Sequence, residues 1–208
     1  MLSRGRFGIL VSLVQNDFEC RERLAKSGEL FDGYNPEMEA IHVQNAQEFQ
    51  TLLDKYGWPD RNIDGASAQD AAWYIVMHAI SLPEFQRRAL KILEQKPSSC
   101  ESRQLAMLQD RILVFSGKKQ IYGTQSDWDQ NGELKPYPIE HSKQVDELRI
   151  SVGLPPLETS IRSLRERALS EGEIAPSNPK ERIQKRISWM LKTGWIQSFE
   201  DVDPAYYS

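Results

Sequence analysis

Residues 36–56 read PEMEAIHVQNAQEFQTLLDKY, and this stretch decides the fold class. Met38, Ile41, Phe49, Leu52, Leu53 and Tyr56 recur at helical spacing and fall on one stripe of an α-helix. Pro36 suits the first helical position, and Gly57-Trp58-Pro59 stops the run. Asn45 lies close to the middle of that stripe, His42 lies inside it, and Glu39 sits at its edge one turn before His42. An unsatisfied buried polar group costs about 1–3 kcal/mol, so each of these residues needs a partner. A structural hydrogen-bonded pair at i, i+3 and a functional site both meet that requirement.

The same pattern extends in both directions. Arg4 and Arg6 followed by the apolar run 7–14 imitate a secretory leader, but no small-x-small cleavage site follows the run. Leu10, Leu13, Val14, Asp17, Arg21 and Leu24 instead read as an amphipathic first helix over about 7–26, stopped at Ser27-Gly28. A third helix, about 67–80, is apolar nearly all the way round and therefore central, with His78 near its end. Pro83 opens a fourth helix, whose buried stripe of Phe85, Ala89, Ile92 and Leu93 has Gln86 on its border. A fifth spans about 99–116, and there Gln109, Asp110 and Arg111 interrupt an otherwise apolar segment. A sixth covers about 142–152, before Gly153-Leu154-Pro155-Pro156.

Between the fifth and sixth helices the period changes. Residues 119–125 and 133–139 flank Asp129-Gln130-Asn131-Gly132, and Asn-Gly is a strong hairpin signal. Gln120, Tyr122 and Thr124 face one way and Gln125 the other, with Gly123 permitting close approach. The expected fold is mainly α: about six helices with one small β-hairpin near 118–140, forming a domain over 1–157. A two-helix appendage over 158–208 completes it. In that tail Lys180, Arg182, Lys185, Arg186 and Lys192 accompany an apolar stripe of Ile183, Ile187, Met190 and Leu191. Docking of this stripe on the rest of the protein is expected in preference to a membrane surface, because one short helix anchors weakly alone.

Composition limits the function classes. The 208 residues carry 26 Lys and Arg against 30 Asp and Glu, a net charge of −4, which argues against a nucleic-acid binder. No run approaches the length of a membrane span. Cys20 and Cys100 are too few and too far apart for a disulfide framework or a cysteine metal site, so a reducing, cytoplasmic setting is expected. No phosphate-cradling loop, nucleophile elbow or His-Glu-x-x-His motif is present.

Several short motifs, in order, carry a resemblance: Leu30-Phe31-Asp32-Gly33-Tyr34, Gly57-Trp58-Pro59, Ala71-Ala72-Trp73 with His78-Ala79, Phe85-Gln86, Asp110-Arg111, and Gln120 with Tyr122-Gly123-Thr124-Gln125. Over about residues 7–157 the chain resembles an uncharacterised bacterial family, domain of unknown function 6624. Met77 stands where that family often has glutamine, and His141 where an acidic residue commonly follows Glu140. The resemblance implies no activity.

The residues themselves suggest a small-molecule hydrolase or transferase. Imidazole titrates near neutrality, so His42 or His78 would serve as general acid or base, with Asp110 orienting an imidazole or a substrate. Arg111 would hold an anionic group, and Asn45, Gln86, Gln120, Tyr122 and Gln125 would fix a small polar substrate. This reading needs no cofactor. A single metal ion on Glu39, His42 and His78, with Asp110 as a fourth ligand, is the alternative, since Glu39-x-x-His42 puts both side chains on one helix face. The competing class is a non-catalytic protein-binding module, an immunity or regulatory protein reading its partner through the hairpin and the Trp58 and Trp128 loops. The discriminator is whether His42 and His78 converge on one pocket.

Overall fold

The computed structural model describes residues 5–30, 33–96 and 100–207, so Phe31 and Asp32 of the Leu30–Tyr34 motif lie outside the described residues. The fold is mainly α, with eight α-helices and one two-stranded antiparallel sheet among the described residues. Its contacts form two compact units, Met1–Leu105 and Ala106–Ser208. The division falls inside a helix, and the tail after residue 157 belongs to the second unit.

The first unit is built from α1 (Gly8–Ser27), α2 (Pro36–Tyr56), α3 (Ala66–His78) and α4 (Pro83–Gln95). The side chain of Asn35 accepts the N–H groups of Glu37 and Met38 at 2.9 and 3.4 Å, and Pro36 follows it, so α2 starts where the sequence places it. Phe49, fully buried on α2, meets Trp58 and Phe85 edge-on at 5.5 and 6.1 Å, tying the Gly57-Trp58-Pro59 turn and α4 to the core. Helix α3 packs against α1, α2 and α4, as its all-round apolar sequence requires. It ends at His78, two residues short of the expected end. Fully buried Gln86 donates its amide to the carbonyls of Val76 and Met77 at 2.7 and 3.2 Å, satisfying groups that a helix C-terminus leaves open.

The second unit contains most of α5 (Ser102–Phe115), then β1 (Ser126–Trp128), β2 (Leu134–Pro136), α6 (Val145–Ser151), α7 (Leu157–Ser170) and α8 (Pro179–Thr193). Its core joins Val114 of α5 to Ile183, Ile187 and Met190 of α8 and to Trp195, Ile196, Val202 and Tyr206 beyond it. Ile183, Ile187 and Met190 of the tail's apolar stripe are therefore buried within this unit, with Leu191 partly buried against them. Arg182 and Arg186 of α8 pair with Asp127 of β1 at 3.0 and 3.2 Å.

The hairpin turn forms as the sequence suggests. Asp129 accepts the N–H groups of Asn131 and Glu133 at 2.8 Å each, and Gly132 adopts φ 73°. The strands, however, are three residues each and pair Ser126 with Pro136 and Trp128 with Leu134. Residues 119–125 form no strand: Gln120 makes an isolated bridge to Ile139, and side chains of α5 and α6 engage the backbone from Ile121 to Thr124.

Candidate functional site

Helix α1 turns Leu10, Leu13, Asp17, Cys20 and Leu24 inward on one face, so the carboxylate of Asp17 is buried among apolar neighbours. His42 reaches it from α2 and His78 from the last position of α3. Nε2 of His42 and Nδ1 of His78 lie 3.0 and 3.1 Å from the same oxygen, Oδ2 of Asp17, and 3.3 Å from each other. The two imidazole rings meet edge-on with centroids 4.8 Å apart. Three side chains from three helices thus aim one atom each at a common point.

Two phenols hold this arrangement in place. The hydroxyl of Tyr34 lies 2.7 Å from Nδ1 of His42, fixing the ring that presents Nε2 to Asp17. Tyr74 stacks obliquely on His78 with centroids 3.9 Å apart and directs its hydroxyl at Oδ1 of Asp17, 3.5 Å away. Burial pushes the Asp17 carboxyl up, but hydrogen bonds from His42 and His78 outweigh it and hold the group ionised well below the usual carboxylate range. Burial, then the charge of Asp17, pushes the Tyr74 phenol up, so it stays protonated. Asp17 and His42 are almost completely buried, whereas the His78 side chain keeps 28% of its surface exposed, so the cluster opens to solvent on the His78 side.

The other expected residues have different tasks. Glu39 accepts a hydrogen bond from Ser81 and is not in the cluster; Asp17 takes the position foreseen for it. Asn45 donates across the core to the carbonyl of Leu13 at 3.2 Å. Gln86 holds the end of α3, as above.

Asp110 belongs to the second unit and touches neither imidazole. Completely buried, it accepts the backbone N–H groups of Ile121, Tyr122 and Thr124 at 2.8, 3.1 and 2.9 Å and the Thr124 hydroxyl at 2.9 Å. From the other side Arg149 of α6, also buried, donates to the carbonyls of Tyr122 and Gly123. Gln120 bridges the ends of the same loop, donating to the carbonyls of Gln125 and Tyr137 at 2.8 and 2.9 Å and accepting the Gln125 N–H at 2.9 Å. Arg111 donates to the Gln125 side chain at 2.9 Å. Gln120, Tyr122 and Gln125 therefore use their backbone or side-chain groups to build a loop, and no imidazole is oriented by Asp110.

With both clusters in view, comparison with known proteins gives one result. The model of a family of unknown function (DUF6624) matches residues 10–170. The chain belongs to this family. No match is found among curated proteins or among solved structures. The span matched by the DUF6624 model contains Asp17, His42, His78, the Asp110 loop and Arg149, and stops before α8. Two of these residues, Asp17 and Arg149, were absent from the candidates drawn from sequence. The signal for Asp17 was available: a carboxylate occupying an inward position of the α1 stripe.

Proposed function

We propose that this DUF6624 protein is a metal-dependent hydrolase of small polar molecules, with Asp17, His42 and His78 holding one divalent cation. The observation that carries the reading is the mutual spacing of the three donor atoms, 3.0, 3.1 and 3.3 Å. Metal–ligand bonds of about 2.0–2.1 Å place neighbouring donor atoms about 3.0 Å apart at right angles and about 3.4 Å apart at the tetrahedral angle. Two imidazoles and one carboxylate are the donor set of both hydrolytic zinc sites and open mononuclear iron sites.

The surroundings support this. In the metal-bound tautomer Nδ1–H of His42 would face the Tyr34 hydroxyl, 2.7 Å away, and the Nε2 lone pair the cation, while Tyr74 engages the outer oxygen of Asp17. The side chains bonded to Asp17 among the described residues are two imidazoles and a phenol, and a bound cation would balance the buried carboxylate. The exposed side at His78 leaves room for a water whose acidity the metal would raise, turning it into a nucleophile near neutral pH. Both cysteines are free thiols, in keeping with a reducing cytoplasm; no helix among the described residues is long and apolar enough to cross a membrane.

Calorimetric titration with Zn²⁺, and with Co²⁺ followed by its visible absorption, tests the site. One ion per chain at micromolar affinity or tighter is expected, with binding lost in Asp17→Asn and His42→Ala. Undiminished binding in both variants, or none in the wild type, overturns the metal assignment. Tyr34→Phe keeps all three donors and is expected to weaken the metal about 10–100-fold, the usual effect of removing an outer partner; unchanged affinity would deny Tyr34 that role. For the reaction, the zinc-loaded wild type and Asp17→Asn are compared on panels of small esters, amides and phosphoesters. Turnover present in the first and absent in the second is expected. Identical profiles would sink the hydrolase reading while leaving the metal site standing.

A further inference from the structure

The second unit has a cleft of about 440 Å³ between α6, α7 and the loop around Gly123. Its lining includes two arginines, Arg149 and Arg167, and five hydroxyl-bearing residues, but no carboxylate, in a chain whose net charge is −4. We infer that this cleft binds a phosphate-bearing small molecule through Arg149, Arg167 and the first turns of α7.

Arg149 is 2% exposed, and its hydrogen-bond partners are neutral. Nε donates to the carbonyl of Pro155 at 2.7 Å, Nη1 to the carbonyls of Tyr122 and Gly123 at 2.6 and 3.4 Å, and Nη2 to the hydroxyl of Ser160. A guanidinium is always charged and has five N–H groups, so one Nη2–H remains for a ligand, while the Asp146 and Asp110 carboxylates act on its charge without hydrogen-bonding to it. The four existing bonds hold the planar fork rigidly. Ser160, having accepted from Arg149, keeps its own hydroxyl proton to donate.

The 14-residue helix α7 adds a second, independent feature. Its N-cap residue, Pro156, supplies no capping side chain, and Thr159 and Ser160 of its first turn line the cleft. The positive end of the helix dipole favours an anion at the remaining N–H groups there, beside the carboxylates that Glu158 and Asp146 already place near this end. Asp146 takes the N–H of Leu157 at that end but does not line the cleft. Hydroxyls of Thr159, Ser160 and Ser163, one free Arg149 N–H and the exposed Arg167 surround the space with donors on several sides. That suits the three outer oxygens of a phosphoryl group better than the two oxygens of a carboxylate. Met107, Leu154 and Leu164 supply an apolar wall for the remainder of the molecule.

The test is a nuclear magnetic resonance titration of the full chain with inorganic phosphate, against sodium chloride and sodium acetate at matched ionic strength. Phosphate is expected to shift the amides of residues 158–163 and the Arg149 Nε–H saturably, and acetate to do so about tenfold more weakly. Arg149→Gln should abolish the response, but removing a buried guanidinium can also unfold the unit. Arg167→Gln and Ser163→Ala alter exposed positions and keep the fold, and each should weaken phosphate about tenfold or less, with the pair exceeding either alone. Phosphate affinity unchanged in the Arg167→Gln/Ser163→Ala double variant overturns the inference, as does an equal response to acetate or chloride. Neither result bears on zinc binding at Asp17, His42 and His78.

Discussion

Zinc at a thousandfold excess over its dissociation constant is expected to stabilise the wild-type chain by about 4 kcal/mol, and to leave His42→Ala unmoved. The size follows from linkage alone: an ion that binds the folded state and not the unfolded one adds RT ln(1 + [L]/Kd). Nothing preorganises Asp17, His42 and His78 in the unfolded chain, since the three come from α1, α2 and α3 and are separated by 25 and 36 residues. Zinc should accordingly slow hydrogen exchange in those three helices. The increment with metal is the informative quantity, because His42→Ala also removes a buried ring and lowers the metal-free stability. Thermal melts with zinc and with chelator, for both proteins, measure it. Equal zinc-dependent shifts in wild type and His42→Ala would mean that the ion binds elsewhere.

How much of this was legible in the sequence depends on whether the determining contact is local. The ends of α2 were readable, because Asn35-Pro36 and Gly57 act on their own neighbours. So was the Asn131-Gly132 turn, held by Asp129. The convergence of His42 and His78 could be posed as a question from their inward positions, and the structure brings them to 4.8 Å. Their third partner could not be chosen. Glu39 shares a helix face with His42, which made it the local candidate, whereas Asp17 arrives through the packing of α1 on α2 and α3. Its place in the Leu10–Leu13–Cys20–Leu24 stripe was visible, but a single acid in an amphipathic helix reads as part of the polar border. Arg149 left less trace. It lies in a seven-residue helix too short for a clear period, and arginine is a residue type that normally remains exposed.

The misplaced first strand has the same origin. Alternation in Lys119–Gln125 resembles a strand, and a strand needs a ladder for its N–H and C=O groups. Here Asp110 takes the N–H groups of Ile121, Tyr122 and Thr124 and Arg149 the carbonyls of Tyr122 and Gly123, so only Gln120 and Gln125, at the two ends, bond to the backbone of residues 137–140. Gly123 at φ +68° allows the necessary turn, and a Cβ there would lie 2.8 Å from Ile139 and 2.9 Å from Leu157 side-chain carbons.

Asp110→Ala should therefore be the most damaging substitution in the second unit, with a loss of about 3–5 kcal/mol. The variant strands three backbone N–H groups and a hydroxyl that water reaches poorly, since the carboxylate is completely buried. It also removes one of the two negative charges, those of Asp146 and Asp110, that act on Arg149. Asp110→Asn keeps the shape and one acceptor oxygen but turns an N–H₂ toward N–H donors, so it should fall between wild type and alanine. Denaturant unfolding gives the overall loss. Hydrogen exchange at Ile121, Tyr122 and Thr124 locates it, with those amides opening well before the α8 core around Ile187 and Met190. A loss under about 1 kcal/mol for the alanine variant would place Asp110 among ordinary surface hydrogen bonds. It would also return the residue to consideration as a functional acid.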